Sequence, residues 1–168
     1  MRAIFLILCA VLLNGCLGMP ESVKPVSDFE LNNYLGKWYE VARLDHSFER
    51  GLSQVTAEYR VRNDGGISVL NRGYSEEKGE WKEAEGKAYF VNGSTDGYLK
   101  VSFFGPFYGS YVVFELDREN YSYAFVSGPN TEYLWLLSRT PTVERGILDK
   151  FIEMSKERGF DTNRLIYV

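Results

Sequence analysis

The chain of 168 residues contains two cysteines, Cys9 and Cys16, and a single histidine, His46. With no cysteine beyond residue 16, the body of the protein has no disulfide to rely on and must be held by its core. The same shortage excludes zinc sites built on cysteine pairs, Cys–His nucleophile dyads and helices carrying paired histidine ligands. A lone histidine in a polar stretch such as "LDHSFER" reads as a solvated loop side chain. No Gly-x-Ser-x-Gly elbow and no phosphate-cradling glycine loop occurs. The sequence therefore nominates no catalytic residue, no metal ligand and no cofactor, and reads as a non-enzyme. Long apolar runs are missing too: the longest, Ala3–Leu13, is too short to span a bilayer as a helix. Positive charge is in deficit, with 19 Lys and Arg against 23 Asp and Glu. That balance argues against nucleic acid and against electrostatic docking on an anionic membrane surface.

What is abundant is aromatic: 12 Tyr, 11 Phe and 3 Trp. Aromatic and β-branched side chains suit strands, so the composition points to an all-β domain. A short helical turn, capped by Asp28, places Leu31, Tyr34 and Leu35 on one face before Gly36. Strand patterns follow at 36–44, 53–63, 67–74, 81–91, 98–104, 110–116, 121–126 and 133–139, separated by turn-forming clusters. Alternation is cleanest in the second, where Val55, Ala57, Tyr59 and Val61 oppose Thr56, Glu58, Arg60 and Arg62. Eight strands in hairpin order predict an antiparallel up-and-down β-barrel, closed and wide enough inside for one small ligand. A helix follows, with Thr142 as N-cap and a packing stripe of Val143, Ile147, Leu148, Phe151, Ile152 and Ser155. It is expected outside the barrel, with a short strand at 165–168 closing the chain.

Residues 1–15 read as a secretory leader: Arg2 is followed by an apolar stretch. "LNGC" resembles a bacterial lipobox, with Leu13 three residues before Cys16, small Gly15 directly before it, and Asn14 departing from the usual small residue between them. Cys16 is then the first mature residue and takes an acyl anchor; two chains anchor stably where one is marginal. Leu17 is not the aspartate that retains such proteins at the inner membrane, which points to the outer membrane. Residues 16–27, with two prolines and no periodicity, read as a tether, and 28–168 as the domain.

Three motifs then carry a resemblance. "GKWYEVAR" holds Gly36 and Trp38, "LDRENY" holds Asp117 and Tyr121, and "LLSRTP" holds Arg139. Together, in this order, with the helix behind them, they resemble the lipocalin family, and "FFGPFYG" with "YLWLLSRTP" resembles its bacterial outer-membrane lipoproteins. Antiparallel closure brings the start of the first strand beside the end of the eighth, so Arg139 is expected over Trp38 as a cation–π pair. All three motifs then form a structural floor at one end.

The open end is expected to hold the ligand. Trp135 stands four residues before Arg139, about 13 Å higher on the same inward face, opposite Ala42. Parity turns Ala57, Tyr59, Val69, Ala84, Ala88, Phe90, Val101, Phe103 and Tyr111 inward, with Tyr108 at the mouth and Trp81 near the rim. It also turns Glu40 and Glu115 inward, as a polar patch or a sign of a bulge. The resemblance implies a carrier of an acyl chain, of a fatty acid or lysophospholipid, in envelope maintenance. Alternatives are a carrier of another apolar ligand such as a tetrapyrrole, a structural lipoprotein filled by its own side chains, and an enzyme with lipid specificity. The sequence leaves the oligomeric state open, a weak homodimer included.

Overall fold

The computed structural model describes residues 17–168; the leader and Cys16 lie outside the described residues. Eight antiparallel strands run in order: β1 (Gly36–Leu44), β2 (Leu52–Val61), β3 (Ile67–Ser75), β4 (Glu80–Phe90), β5 (Tyr98–Phe104), β6 (Phe107–Leu116), β7 (Tyr123–Ser127) and β8 (Leu134–Ser138). Each pairs with the next, and β1 returns to pair with both β8 and β2, which closes the barrel. A single turn of helix, α1 (Leu31–Tyr34), precedes the barrel; α2 (Arg145–Glu157) and a last strand, β9 (Leu165–Tyr167), follow it. Contact between β1 and β2 is short, from Gly36↔Tyr59 to Tyr39↔Thr56. Beyond Tyr39, β2 peels away and β9 covers the freed edge of β1 by pairing Ala42, Arg43 and Leu44.

The wall has an apolar core on each side. Inside lie Trp38, Tyr59, Ile67, Val69, Ala88, Leu99, Val113, Val126 and Leu137 with Phe29 and Tyr34 of the entry segment. Outside, Phe125, Leu134, Leu136, Val112 and Phe114 meet α2, whose Phe151 packs edge-on against Phe125 at 5.0 Å. The helix begins after Glu144 with no side-chain cap, so Thr142 is not its cap. Its carbonyl instead accepts from the Thr140 hydroxyl within a preceding turn. Likewise Glu30, not Asp28, flanks α1.

Among the described residues the barrel pairings carry four register shifts, and those in β1 and β6 overturn the expected facing. In β1, Glu40 pairs with Leu137 but Ala42 with Leu136, so Val41 is an extra residue. Each residue beyond it turns to the opposite side from simple counting. Ala42 therefore points outward into the α2 core, and Arg43, not Ala42, stands opposite Trp135. A shift in β6 between Val113 and Glu115 does the same there. Glu115 faces outward and its carboxylate binds the Lys150 ammonium of α2 at 2.7 Å.

The segment expected as a tether lies along the barrel from its first described residues. The Gly18 N–H is shared by Tyr98 Oη and Ser110 Oγ at 3.1 and 2.9 Å. Val23 is buried in the outer core. Val26 N–H donates to the Val113 carbonyl and its own carbonyl accepts from Gly97 N–H. Two prolines break periodicity, yet Met19, Val23 and Val26 still find an apolar wall to cover.

The floor is built as the three motifs imply. Trp38 is fully buried and donates from Nε1 to the Tyr34 carbonyl at 2.8 Å. The Arg139 guanidinium lies 3.9 Å from the Trp38 ring and donates to the carbonyls of Asn33, Lys37 and Tyr121. Gly36 has φ +92°, a conformation only glycine holds without strain. Asp117 gathers the backbone N–H groups of Glu119, Asn120 and Ser122 and the Ser122 hydroxyl. Burial opposes its charge, but these donors hold its carboxyl below the usual range. The buried Tyr121 hydroxyl accepts from Glu30 N–H and so ties the entry segment to this turn. Arg139→Ala removes the cover of Trp38 and three carbonyl partners. It is expected to cost about 1–3 kcal/mol of stability in urea unfolding, with ligand affinity per folded molecule unchanged.

Candidate functional site

Above the floor, three tyrosines from three elements meet. The Tyr111 hydroxyl of β6 lies 2.6 Å from that of Tyr34 in α1 and 2.9 Å from that of Tyr59 in β2. Burial pushes all three phenols above their ordinary range, so they stay neutral and satisfy one another. With Phe29, Leu31, Ile67, Ala88, Leu99 and Val101 they enclose a cavity of about 10 Å³, room for roughly one water. Phe90 packs behind this group, edge-on to Phe29 at 6.0 Å. Tyr59, Phe90, Val101 and Tyr111 are thus gathered as parity required, but around a nearly filled space. Tyr34, expected only as one face of a helical turn, is the third member of the shelf.

Toward the mouth the interior has two unlike sides. On the β1–β8 side, Arg43 is 1% exposed. Its Nη1 donates to Glu40 Oε1 at 2.6 Å, and its Nη2 to the carbonyls of Glu49 and Leu52. Glu49 Oε2 accepts from Trp135 Nε1 at 3.2 Å and lies 3.0 Å from His46 Nε2. His46 is buried, not solvated as its loop position implied, and stacks on Phe48 at 3.8 Å. On the β3–β6 side, the inward positions are Val69, Gly86, Val101, Phe103 and Gly109. The Phe103 ring covers Gly86 so closely that a Cβ there would clash at 2.8 Å. Ala84 is inward by parity but exposed, because β4 extends past its pairing with β5, which ends at Lys87↔Ser102.

Tyr108 is not at the inner mouth. β6 already begins at Phe107, so "FYG" is strand rather than loop and its alternation runs unbroken from Tyr111, the extra residue of this pairing lying on β5. That turns Tyr108 outward onto Lys100 and Tyr89. Trp81, at the rim, packs against Tyr74 and under Arg72 at 4.2 Å. It borders a second cavity of about 240 Å³ where β2 leaves β1, lined by Lys37, Tyr39, Glu40, Val55, Arg72 and Val168 among others. Among the described residues no group of three or more His, Cys, Asp or Glu could hold a metal ion.

The charged cluster holds two carboxylates for one guanidinium. Burial, then the nearby Glu49 charge, pushes the Glu40 carboxyl well up, with Arg43 opposing. Burial also opposes the charge of Glu49, but His46, Trp135 and Arg43 together bring its carboxyl below the usual range. Arg43 Nε and, on β3, Asn71 Oδ1 are buried without a hydrogen-bond partner among the described residues. No feature of the sequence announces Arg43 or Glu49 as interior; both follow from the extra residue at Val41. Because the folded pKa of Glu40 lies above its unfolded value, its contribution is fully present below about pH 4.5. It is lost as pH rises through the folded pKa. Glu40→Gln keeps an acceptor for Arg43 and removes that loss. Its stability relative to the parent is expected to rise from pH 4 to pH 8 in urea titrations; a difference that is flat with pH contradicts the assignment.

A family model, the lipocalin-like domain, matches residues 29–168. The outer membrane lipoprotein Blc of Vibrio cholerae is 99% identical over all of this chain and 98% of its own length. The Escherichia coli protein of that name is 51% identical, over 89% of this chain and 84% of its own. Among solved structures, insecticyanin of the tobacco hornworm Manduca sexta superposes with a TM-score of 0.71. It is 23% identical, with 89% of this chain and 85% of that one covered. The closed barrel with its outer helix, the floor of Trp38 and Arg139, and these matches agree: the chain belongs to the lipocalin family, as one of its bacterial outer-membrane lipoproteins.

Proposed function

We propose that this membrane lipoprotein carries one acyl chain, of a fatty acid or a lysophospholipid, in the mouth half of its barrel, to store or transfer lipid in upkeep of the cell envelope. Its family is one of carriers of small apolar ligands rather than of enzymes. What supports an acyl chain with a polar head is the two-sided interior. Val69, Val101, Phe103 and the two glycines offer an apolar wall. Across from it on β1 Arg43 Nε, and within it on β3 Asn71 Oδ1, are buried polar atoms with no hydrogen-bond partner among the described residues; a carboxylate can accept from the first and a glycerol hydroxyl can donate to the second. The tyrosine shelf sets the depth: Tyr111 lies four residues from Phe107 at the end of β6, about 14 Å. One observation favours the rival reading of a self-filled structural barrel, namely that the cavity bordered by that shelf is only about 10 Å³.

Trp135 separates the two. It borders the charged cluster through Glu49 and stacks near Tyr133 at 6.2 Å, so a chain entering the mouth replaces water beside it. Titration with acyl chains of increasing length is expected to shift its fluorescence. Affinity should grow by at most about 0.8 kcal/mol per CH₂ until the space above the shelf is full. Flat affinity with no signal that depends on Trp135 favours the self-filled barrel, and mass spectrometry of a solvent extract identifies any co-purified lipid.

The anchor is assigned to Cys16. Cys16→Ala precedes every strand and leaves the fold intact. The variant is expected to move from the membrane fraction to the soluble one, or to stall uncleaved. A correctly cleaved variant that still fractionates with outer membrane in detergent-free buffer contradicts the assignment.

A further inference from the structure

The β5–β6 hairpin ends in side chains that a globular surface rarely leaves in water. Phe104 is 79% exposed, Phe107 62% and Phe103 40%, with Pro106 between them. Phe48, on the β1–β2 loop at the same end, is 59% exposed. Below the tip, on the outer face of the same two strands, the Lys100 ammonium lies 5.1 Å from the Tyr108 ring, which neighbours Tyr89 at 6.4 Å. A phenylalanine tip above a collar of tyrosine and lysine is the order in which side chains meet a bilayer, apolar core first and headgroups next.

The path of the N-terminal segment says on which side that bilayer lies. Gly18 is fastened to Tyr98 and Ser110, on this same strand pair. From there the chain follows β6 toward the closed end, since Val26 bonds to Val113, three residues beyond Ser110. Gly18 therefore lies on the mouth side of this segment's path. Cys16 is two residues away, and two residues of chain reach at most about 7 Å. Ser110 is three residues from Phe107, about 10 Å, and six from Leu116 at the closed end, about 20 Å. By these lengths an anchor on Cys16 stands about 3 Å short of the level of Phe107 and about 13 Å short of the closed end, which favours a bilayer at the mouth over one beneath the floor.

We infer that the β5–β6 tip is a membrane-contact surface: Phe104 and Phe107 enter the interface of the phospholipid bilayer that holds the anchor, and the barrel mouth opens onto that leaflet. The distance argument rests on the assignment of the anchor to Cys16. An acidic chain is no obstacle, because the contact is apolar rather than electrostatic. The arrangement lets a lipid pass between leaflet and barrel without crossing water.

The test uses the full chain, acylated on Cys16 and reconstituted in vesicles of phosphatidylethanolamine and phosphatidylglycerol. A nitroxide label is placed on Phe104→Cys or, as the control, on Ser94→Cys in the exposed β4–β5 turn at the closed end. The ratio of oxygen to water-soluble nickel accessibility is expected to rise severalfold at position 104 on reconstitution and to stay at its solution value at position 94. Equal water accessibility at both positions overturns the inference, as does lipid contact at position 94 alone. Spin–spin broadening between labels at position 104, with no gain in oxygen accessibility, also overturns it and assigns the tip to contact between two copies. The labels report depth with no ligand added. Failure of the acyl-carrier reading therefore leaves this result standing, and failure here leaves the ligand titration unaffected.

Discussion

The extra residue at Val41 puts a guanidinium inside an apolar barrel, and much of the mouth half is a response to it. A buried charge is tolerated only with close partners. Arg43 finds them in Glu40 on its own strand and in the carbonyls of Glu49 and Leu52. To supply those carbonyls, the loop after β1 folds inward, and in doing so it buries His46 and brings Glu49 to Trp135. The same extra residue sends Ala42 outward, where a methyl beneath α2 leaves room for Phe151 and Phe125 to pack. One insertion in the strand thus sets the polarity inside and the packing outside.

The floor solves a different problem, how to close an end of a barrel without leaving backbone groups unpaired. Arg139 answers three carbonyls at once while its planar face covers Trp38. Planarity, with donors spread in a fork, suits arginine to this place in a way lysine does not match. Above it, the tyrosine shelf is polar only at its three hydroxyl tips, which bond one another. The rings can therefore fill the barrel at no cost in unsatisfied groups.

The outer wall is used as fully as the interior. A second bulge, in β6, frees Glu115 to bind Lys150 and so fastens α2. The entry segment covers the outer wall at β5–β6 and crosses beneath the floor to α1. This wall fastens Gly18, the second described residue, to β5 and β6.

The strand periods, the helix stripe and the three floor motifs were legible in the sequence because each is local or repeats at a fixed spacing. Alternation in β2 and β3 predicts Tyr59 and Val69 as interior, and closure alone puts Arg139 over Trp38. "GPFYG" reads as a loop by its glycines and proline, which puts Tyr108 at the mouth, whereas β6 begins at Phe107 and its own alternation turns Tyr108 outward. Ala42, Glu115 and Arg43 were assigned to the wrong side, or to none, for one reason. A bulge exists only as a mismatch between two strands, and no window along one chain segment contains both partners. The sequence by itself determined the barrel, its floor and the helix that covers it. Tertiary pairing decided which side chains face the ligand space, because inward and outward are set by register with the neighbouring strand.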